Sequence, residues 1–197
     1  MVSGNSMAHY YFKKGNSWKE TPYFNDLAGL SEELAHRPET DIVCVRDVDN
    51  KVRVLSERGS AELWFDDKKQ INYKLITEDP FGYIKTKSKQ TSQQVLASSI
   101  KSEYPDAPLQ ILQLFESPRT GDVVISAKPG FDLRATHENP EHCGSHGSLH
   151  RDHMLVPIIM NKNSSSDYAR TVDIFPTITE HLGLNTLDNL DGNSLLD

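Results

Sequence analysis

Apolar positions recur with a helical period over 22–36, where Phe24, Leu27, Ala28, Leu30 and Leu34 fall on one face. Thr21 and Pro22 supply an N-cap and a first-turn proline for that helix. After Arg37-Pro38 the period shortens to two. Ile42-Val43-Cys44-Val45, then Asp49-Asn50, then Val52 and Val54 alternating with Arg53 make a hairpin signal. Leu63-Trp64-Phe65 and the alternating Ile71, Tyr73 and Leu75 predict two further strands. The stretch 22–76 therefore reads as one helix followed by an antiparallel meander, half-buried against that helix or a neighbouring domain.

Beyond it, the polar run 85–92 is a solvated connection. Ser92 to Glu103 reads as a helix stopped by Pro105, and Leu109, Leu112 and Phe115 mark a second. Gly121-Asp122 leads into Val123–Ala127, whose compact β-branched run predicts a strand buried on both faces, as in a mostly parallel sheet. Leu155 to Met160 is another apolar strand candidate. Val172, Phe175, Ile178, Thr179 and Leu182 share a helical face, with Pro176 in the first turn and Gly183 at C′. The chain has no internal repeat and no low-complexity tract.

Composition narrows the classes of partner. Lys and Arg total 21 against 28 Asp and Glu, a net charge of −7, which argues against nucleic-acid polymers and anionic membranes. At 197 residues with 37% apolar content the chain can bury the core of one domain with a small appendage. The longest apolar stretch, Met154–Met160, holds Pro157 and falls far short of the roughly 20 residues of a membrane span. The opening MVSGNSMAHYYFKKGN lacks a basic-then-apolar leader pattern. Two cysteines, Cys44 and Cys143, make no disulfide framework and read as free thiols of a reducing compartment.

Chemistry concentrates between His137 and His153, which hold five of the eight histidines. His142, His146 and His150 are spaced by four, but Gly144, Ser145, Gly147 and Ser148 disfavour a helix, each glycine costing about 1 kcal/mol. The segment reads as a loop. Neutral imidazole is a common transition-metal ligand, and histidines beside Cys143 suit zinc. His146 stands out because Ser145 and Gly147 let backbone approach a ligand, and because it lies between the strand candidates 123–127 and 155–160. His137, His142, His150 and His153 read as surface or hydrogen-bonding residues, and His9, His36 and His181 as surface or helix-end residues. Cys44 reads as a core thiol, and Asp191-Gly192-Asn193 as a turn.

Several phrases together carry a resemblance. Gly144-Ser145-His146-Gly147-Ser148 followed by Val156-Pro157-Ile158-Ile159 resembles the last metal-ligand segment of the alkaline phosphatase superfamily, in its type I phosphodiesterase/nucleotide pyrophosphatase branch. Thr171-Val172-Asp173-Ile174-Phe175-Pro176-Thr177-Ile178, Leu182-Gly183 and Asp191-Gly192-Asn193-Ser194-Leu195 resemble the ending of that family. Gly121-Asp122-Val123-Val124 is similar to the strand before its histidine loop, and Ser3-Gly4-Asn5 with Tyr10-Tyr11 to a stretch in its middle. The resemblance implies an α/β fold (α+β as a fragment), with the chain forming part of a mostly parallel, alkaline-phosphatase-like sheet with helices, plus the helix and antiparallel meander. It also implies a hydrolase of phosphate esters using two metal ions, usually zinc, and a Ser or Thr nucleophile. Of the family's ligand set only the final histidine transfers, onto His146 as a metal ligand.

The departures shape the expectation. No nucleophile segment precedes these motifs, no Asp-x-x-x-His occurs, and Asp152-His153 follows His146 where the family's Asp-His pair would precede it. A catalytic zinc needs about three protein ligands. The chain is thus expected to be the C-terminal part of a larger phosphodiesterase, inactive alone, its partners the remainder of the parent enzyme and a phosphate-ester substrate. The expected organisation is a partial core segment over 1–20, a helix-plus-meander subdomain over 21–84, and the C-terminal part of the core over 85–197. Two rivals stay open: a non-catalytic binding or interaction module on the same scaffold, and a complete zinc hydrolase using His142, Cys143 and His146.

Overall fold

A computed structural model describes residues 4–84, 87–134, 144–185 and 189–196. It divides into two compact units, Met1–Leu155 and Val156–Asp197.

The first unit is built on one seven-stranded sheet of order β1-β7-β2-β3-β4-β5-β6. Its strands are β1 (Met7–Tyr10), β2 (Thr40–Arg46), β3 (Val52–Ser56), β4 (Gly59–Phe65), β5 (Ile71–Leu75), β6 (Lys89–Gln90) and β7 (Val123–Ala127). Helices α1 (Phe24–Ala35), α2 (Ser92–Ser99), α3 (Ala107–Glu116) and the single turn α4 (Arg151–Met154) complete it. From β2 to β5 the strands run as the expected meander. The Val48–Lys51 turn closes on a Lys51 N–H to Val48 carbonyl bond of 3.2 Å, with Asp49 and Asn50 at φ +58° and +55°. Two successive left-handed residues are what a type I′ hairpin turn requires, and Asp and Asn tolerate that region best after glycine.

The sheet corrects the expected fold class. Every strand pair, including β1 with β7 and β7 with β2, is antiparallel, so the sheet is not the mostly parallel one that the resemblance implies. β7 is indeed buried along its whole length. Its unbroken apolar run, however, reflects cover on both faces and not strand direction. Val123 and Ile125 pack with Val43 and Val45 toward α1, while Val124 packs with Ile42 and Cys44 toward α2 and α3. An antiparallel strand sandwiched between two helical layers loses its polar alternation for the same reason a parallel one does.

Farther from β7 one face stays apolar and the other becomes charged. Ala61, Leu63, Ile71 and Tyr73 join the α2–α3 core, whereas Arg53 on the opposite face lies over the Phe24 ring at 4.7 Å and pairs with Asp47 and Glu62. The guanidinium thus ties the start of α1 to the meander through an aromatic face and two carboxylates.

Three boundaries differ from the sequence reading. α1 starts after Tyr23, whose N–H is taken by Asp26 Oδ2 at 3.0 Å, so the Asp26 carboxylate replaces Thr21 as the capping group. α2 ends at Ser99, short of Glu103. Ser99 Oγ donates to the Val95 carbonyl at 2.6 Å and accepts the Asp106 N–H at 2.8 Å, so its hydroxyl folds the chain back before Pro105 is reached. Leu155–Met160 is not a strand and has no ladder partner among the described residues. Pro157 deprives it of a donor in its middle.

The second unit is a small clamp. A 3-10 turn, Thr171–Asp173, leads into α5 (Ile174–His181), and Gly183 at φ +63° ends it in the left-handed C′ geometry expected of that glycine. An isolated antiparallel bridge joins Ser164 to Leu196. The apolar positions of the predicted face are largely exposed: Phe175, Ile178 and Leu182 lie at the surface, while Pro176, Thr177 and Thr179 are buried. Among the described residues no helix is long and apolar enough to cross a membrane.

Candidate metal-ligand loop

β7 and the chain after it place the histidine loop at the end of the sheet. Ser126, near the end of β7, accepts the Leu149 N–H on Oγ at 2.9 Å, pinning the loop to its strand. The opposite side of the loop is held by the residues that enter β1. Ser6 donates its backbone N–H to the His146 carbonyl at 3.0 Å, and its Oγ lies 2.7 Å from Ser145 Oγ. Ser6 is itself part of the sheet framework, because its carbonyl accepts the Ala127 N–H at 2.9 Å. Two stretches that carried the resemblance, Gly4-Asn5 and Gly144–Ser148, are thereby neighbours despite about 140 intervening residues.

The histidines of the loop have separate fates. His150 caps α4, its Nδ1 accepting the Asp152 N–H at 3.3 Å, while Nε2 sits 2.7 Å from Glu103 Oε2 and the ring meets the edge of Tyr104. The Arg151 N–H donates to the Glu103 carbonyl at 2.7 Å, so residues 150 and 151 latch onto the turn before α3. His153 Nδ1 turns back to the buried Ser148 hydroxyl at 2.8 Å. Asp152 is exposed, and the Asp152-His153 pair does not join His146. His137, His142 and Cys143 lie outside the described residues.

His146 differs from all of these. It is exposed, and its ring nitrogens have no hydrogen-bond partner among the described residues. Elsewhere His9 Nδ1 accepts the Gly121 N–H at 3.1 Å, and His36 Nδ1 contacts the Glu32 carbonyl at 2.7 Å. Burial lowers the pKa of His9, favouring the neutral ring that this hydrogen bond needs. Cys44 is confirmed as a buried thiol, and burial pushes its pKa well above the ordinary thiol range.

Among the described residues no group of three His, Cys, Asp or Glu side chains is arranged to hold a metal ion. What the loop offers a metal is one donor: an uncommitted imidazole on a backbone fixed from two sides. That donor chemistry fits zinc as one ligand of a set. Hollows of about 550 Å³ beside β1, lined by Tyr10, Arg37, Thr40 and Phe131, and of about 480 Å³ near Arg46 and Phe65, are not lined by residues of the loop.

The sequence singled out His146 and the Gly4-Asn5 phrase but missed Ser6 and Ser126. A lone serine before or within a strand carries no local signal, since its partner lies elsewhere in the chain. The chain matches no protein-family model, no curated protein and no solved structure.

Proposed function

We propose that this chain supplies one metal-ligand side chain, His146, to a metal-dependent phosphohydrolase centre acting on phosphate esters, phosphodiesters in preference to monoesters. The remaining ligands and the nucleophile belong to the rest of a parent polypeptide, and the chain alone is inactive. The observation that carries the reading is the uncommitted imidazole of His146 on a loop anchored at Ser6 and Ser126, in a chain whose other loop histidines with described positions are engaged. Zinc, when bound, supplies Lewis-acid polarisation of a phosphoryl oxygen and activation of water. This chain's share is to hold one donor nitrogen at a fixed place: the Ser6 N–H fixes the His146 carbonyl, and the Ser126 hydroxyl fixes the loop two residues past Gly147.

A single imidazole binds zinc weakly, so ring resonances report better than heat. Adding Zn²⁺ to the ¹⁵N-labelled chain is expected to shift the His146 ring signals, while hydrolysis of bis(p-nitrophenyl) phosphate stays at the metal-only rate. Unmoved His146 signals overturn the ligand role, and turnover abolished by His146→Ala overturns the inactivity of the chain. The parent-polypeptide part is checked in the coding sequence upstream of Met1. A Ser or Thr nucleophile segment with Asp-x-x-x-His and Asp-His-Gly there supports it; an in-frame stop overturns it.

A further inference from the structure

Gly4 stands at φ +68°, a conformation that side chains other than glycine's rarely adopt. A Cβ at this position would lie 2.7 Å from the His146 carbonyl oxygen, 2.8 Å from Nδ1 and 3.1 Å from Cε1 of the same ring. The Gly4 backbone therefore packs against the Nδ1–Cε1 side of the ring, with room between them only for a hydrogen. A zinc ion bonded to Nδ1 would need to sit about 2.0–2.1 Å from it and bring further ligands into that space. Two residues on, Ser6 ties the loop backbone to the sheet through His146, and its hydroxyl contacts Ser145 Oγ at 2.7 Å and the Phe131 carbonyl at 3.3 Å.

We propose that Gly4 and Ser6 are positioning residues for His146: together they fix its loop and cover the Nδ1 edge, so that Nε2 is the nitrogen presented to a metal ion or an electrophile. In its metal aspect this rests on the function proposed above. In its geometry it stands alone, and it can be read without metal.

The test is the regiochemistry of histidine alkylation by bromoacetate, resolved for the His146 peptide by chromatography of the two carboxymethylhistidine isomers. In the folded chain the Nε2-to-Nδ1 ratio is expected to exceed that of the urea-unfolded chain by about 10-fold, the size of effect that supporting residues exert on a ligand. Gly4→Ala is expected to bring the ratio back toward the unfolded value. Should that variant fail to fold, Ser6→Ala keeps the backbone donor, removes the Ser145 contact and is expected to lower the ratio in a folded protein. A folded wild-type chain with the unfolded ratio overturns the proposal, as does a wild-type ratio in both folded variants. Zn²⁺ protection of Nε2 supports both proposals. Selective Nε2 alkylation without protection supports the positioning and overturns the metal-ligand role.

Discussion

Asp173 Oδ1 accepts the backbone N–H of Asn193 at 2.8 Å, joining two phrases of the C-terminal sequence that lie 20 residues apart. Its other oxygen takes the Arg170 N–H at 2.7 Å, and the neighbouring Thr177 hydroxyl donates to the Asp173 carbonyl and accepts the Leu195 N–H. Gly192 passes so close that a Cβ there would lie 2.1 Å from the Val172 carbonyl oxygen. The Thr-x-Asp and Asp-Gly-Asn phrases thus build a clamp within the second unit, with Asp173 serving as a double acceptor for backbone donors.

Asp173→Ala strips both acceptors from a buried position and leaves two N–H groups without them, which costs about 2–3 kcal/mol. The loss is expected locally: amide exchange and trypsin cleavage should accelerate over 164–196 and stay unchanged in β2 and β7. Gly192→Ala, through its backbone clash, should do the same. Uniform acceleration through the whole chain would contradict a clamp confined to this unit.

Asp41 in β2 is buried and accepts from Arg58 at 2.8 Å and from the Tyr104 hydroxyl at 2.8–2.9 Å, with the Arg58 guanidinium lying over the Tyr104 ring. Asp41→Ala is expected to lower unfolding stability by about 2 kcal/mol, less than a fully buried pair would lose because Arg58 is partly solvated. The urea midpoint measures it. A midpoint equal to wild type would mean that the acceptor contributes nothing.

His9 provides a pH dependence with a definite sign. Burial lowers its folded-state pKa from the ordinary 6.5. Below that value the unfolded chain binds a proton that the folded chain resists, so stability falls as pH drops through about 6.5, while above it His9 adds no slope. His9→Asn, whose Oδ1 can accept the Gly121 N–H in place of Nδ1, should flatten the fall in urea midpoint between about pH 7 and 5. Parallel wild-type and variant curves would remove His9 as the source.

Cys44 is covered on its face of β2 by the α2–α3 core, and its thiol is held protonated by burial. In a Cys143→Ser chain, the thiol reagent DTNB is expected to find no reactive sulfur at pH 8 until urea unfolds the sheet. Prompt reaction of the native protein would contradict a closed core around Ile42, Val54 and Val124.

Local rules were enough wherever neighbours in sequence settle the geometry. The Asp49-Asn50 turn, the alternation of β3 and β5, the amphipathic face of α1 and the Gly183 stop are all visible in the chain because each depends on residues within a few positions. Val123–Ala127 was legible as a buried strand, but its direction was not. Burial on both faces writes the same apolar run whichever way the neighbours point, and β1 and β2 are recruited from about 115 and 80 residues away.

The site divides the same way. The sequence by itself determined that His146 stands among small residues in a stretch whose glycines and serines disfavour a helix. Only the tertiary structure decided which imidazoles stay uncommitted. His150 is taken by Glu103, His153 by Ser148 and His9 by Gly121, while Gly4 and Ser6 close on His146 from the far end of the chain. Apart from the local His153–Ser148 contact, these partners are separated by 47 to 142 residues and leave no trace in local pattern, because hydrogen bonds across a sheet depend on how strands are ordered in space and not on how residues are spaced in sequence.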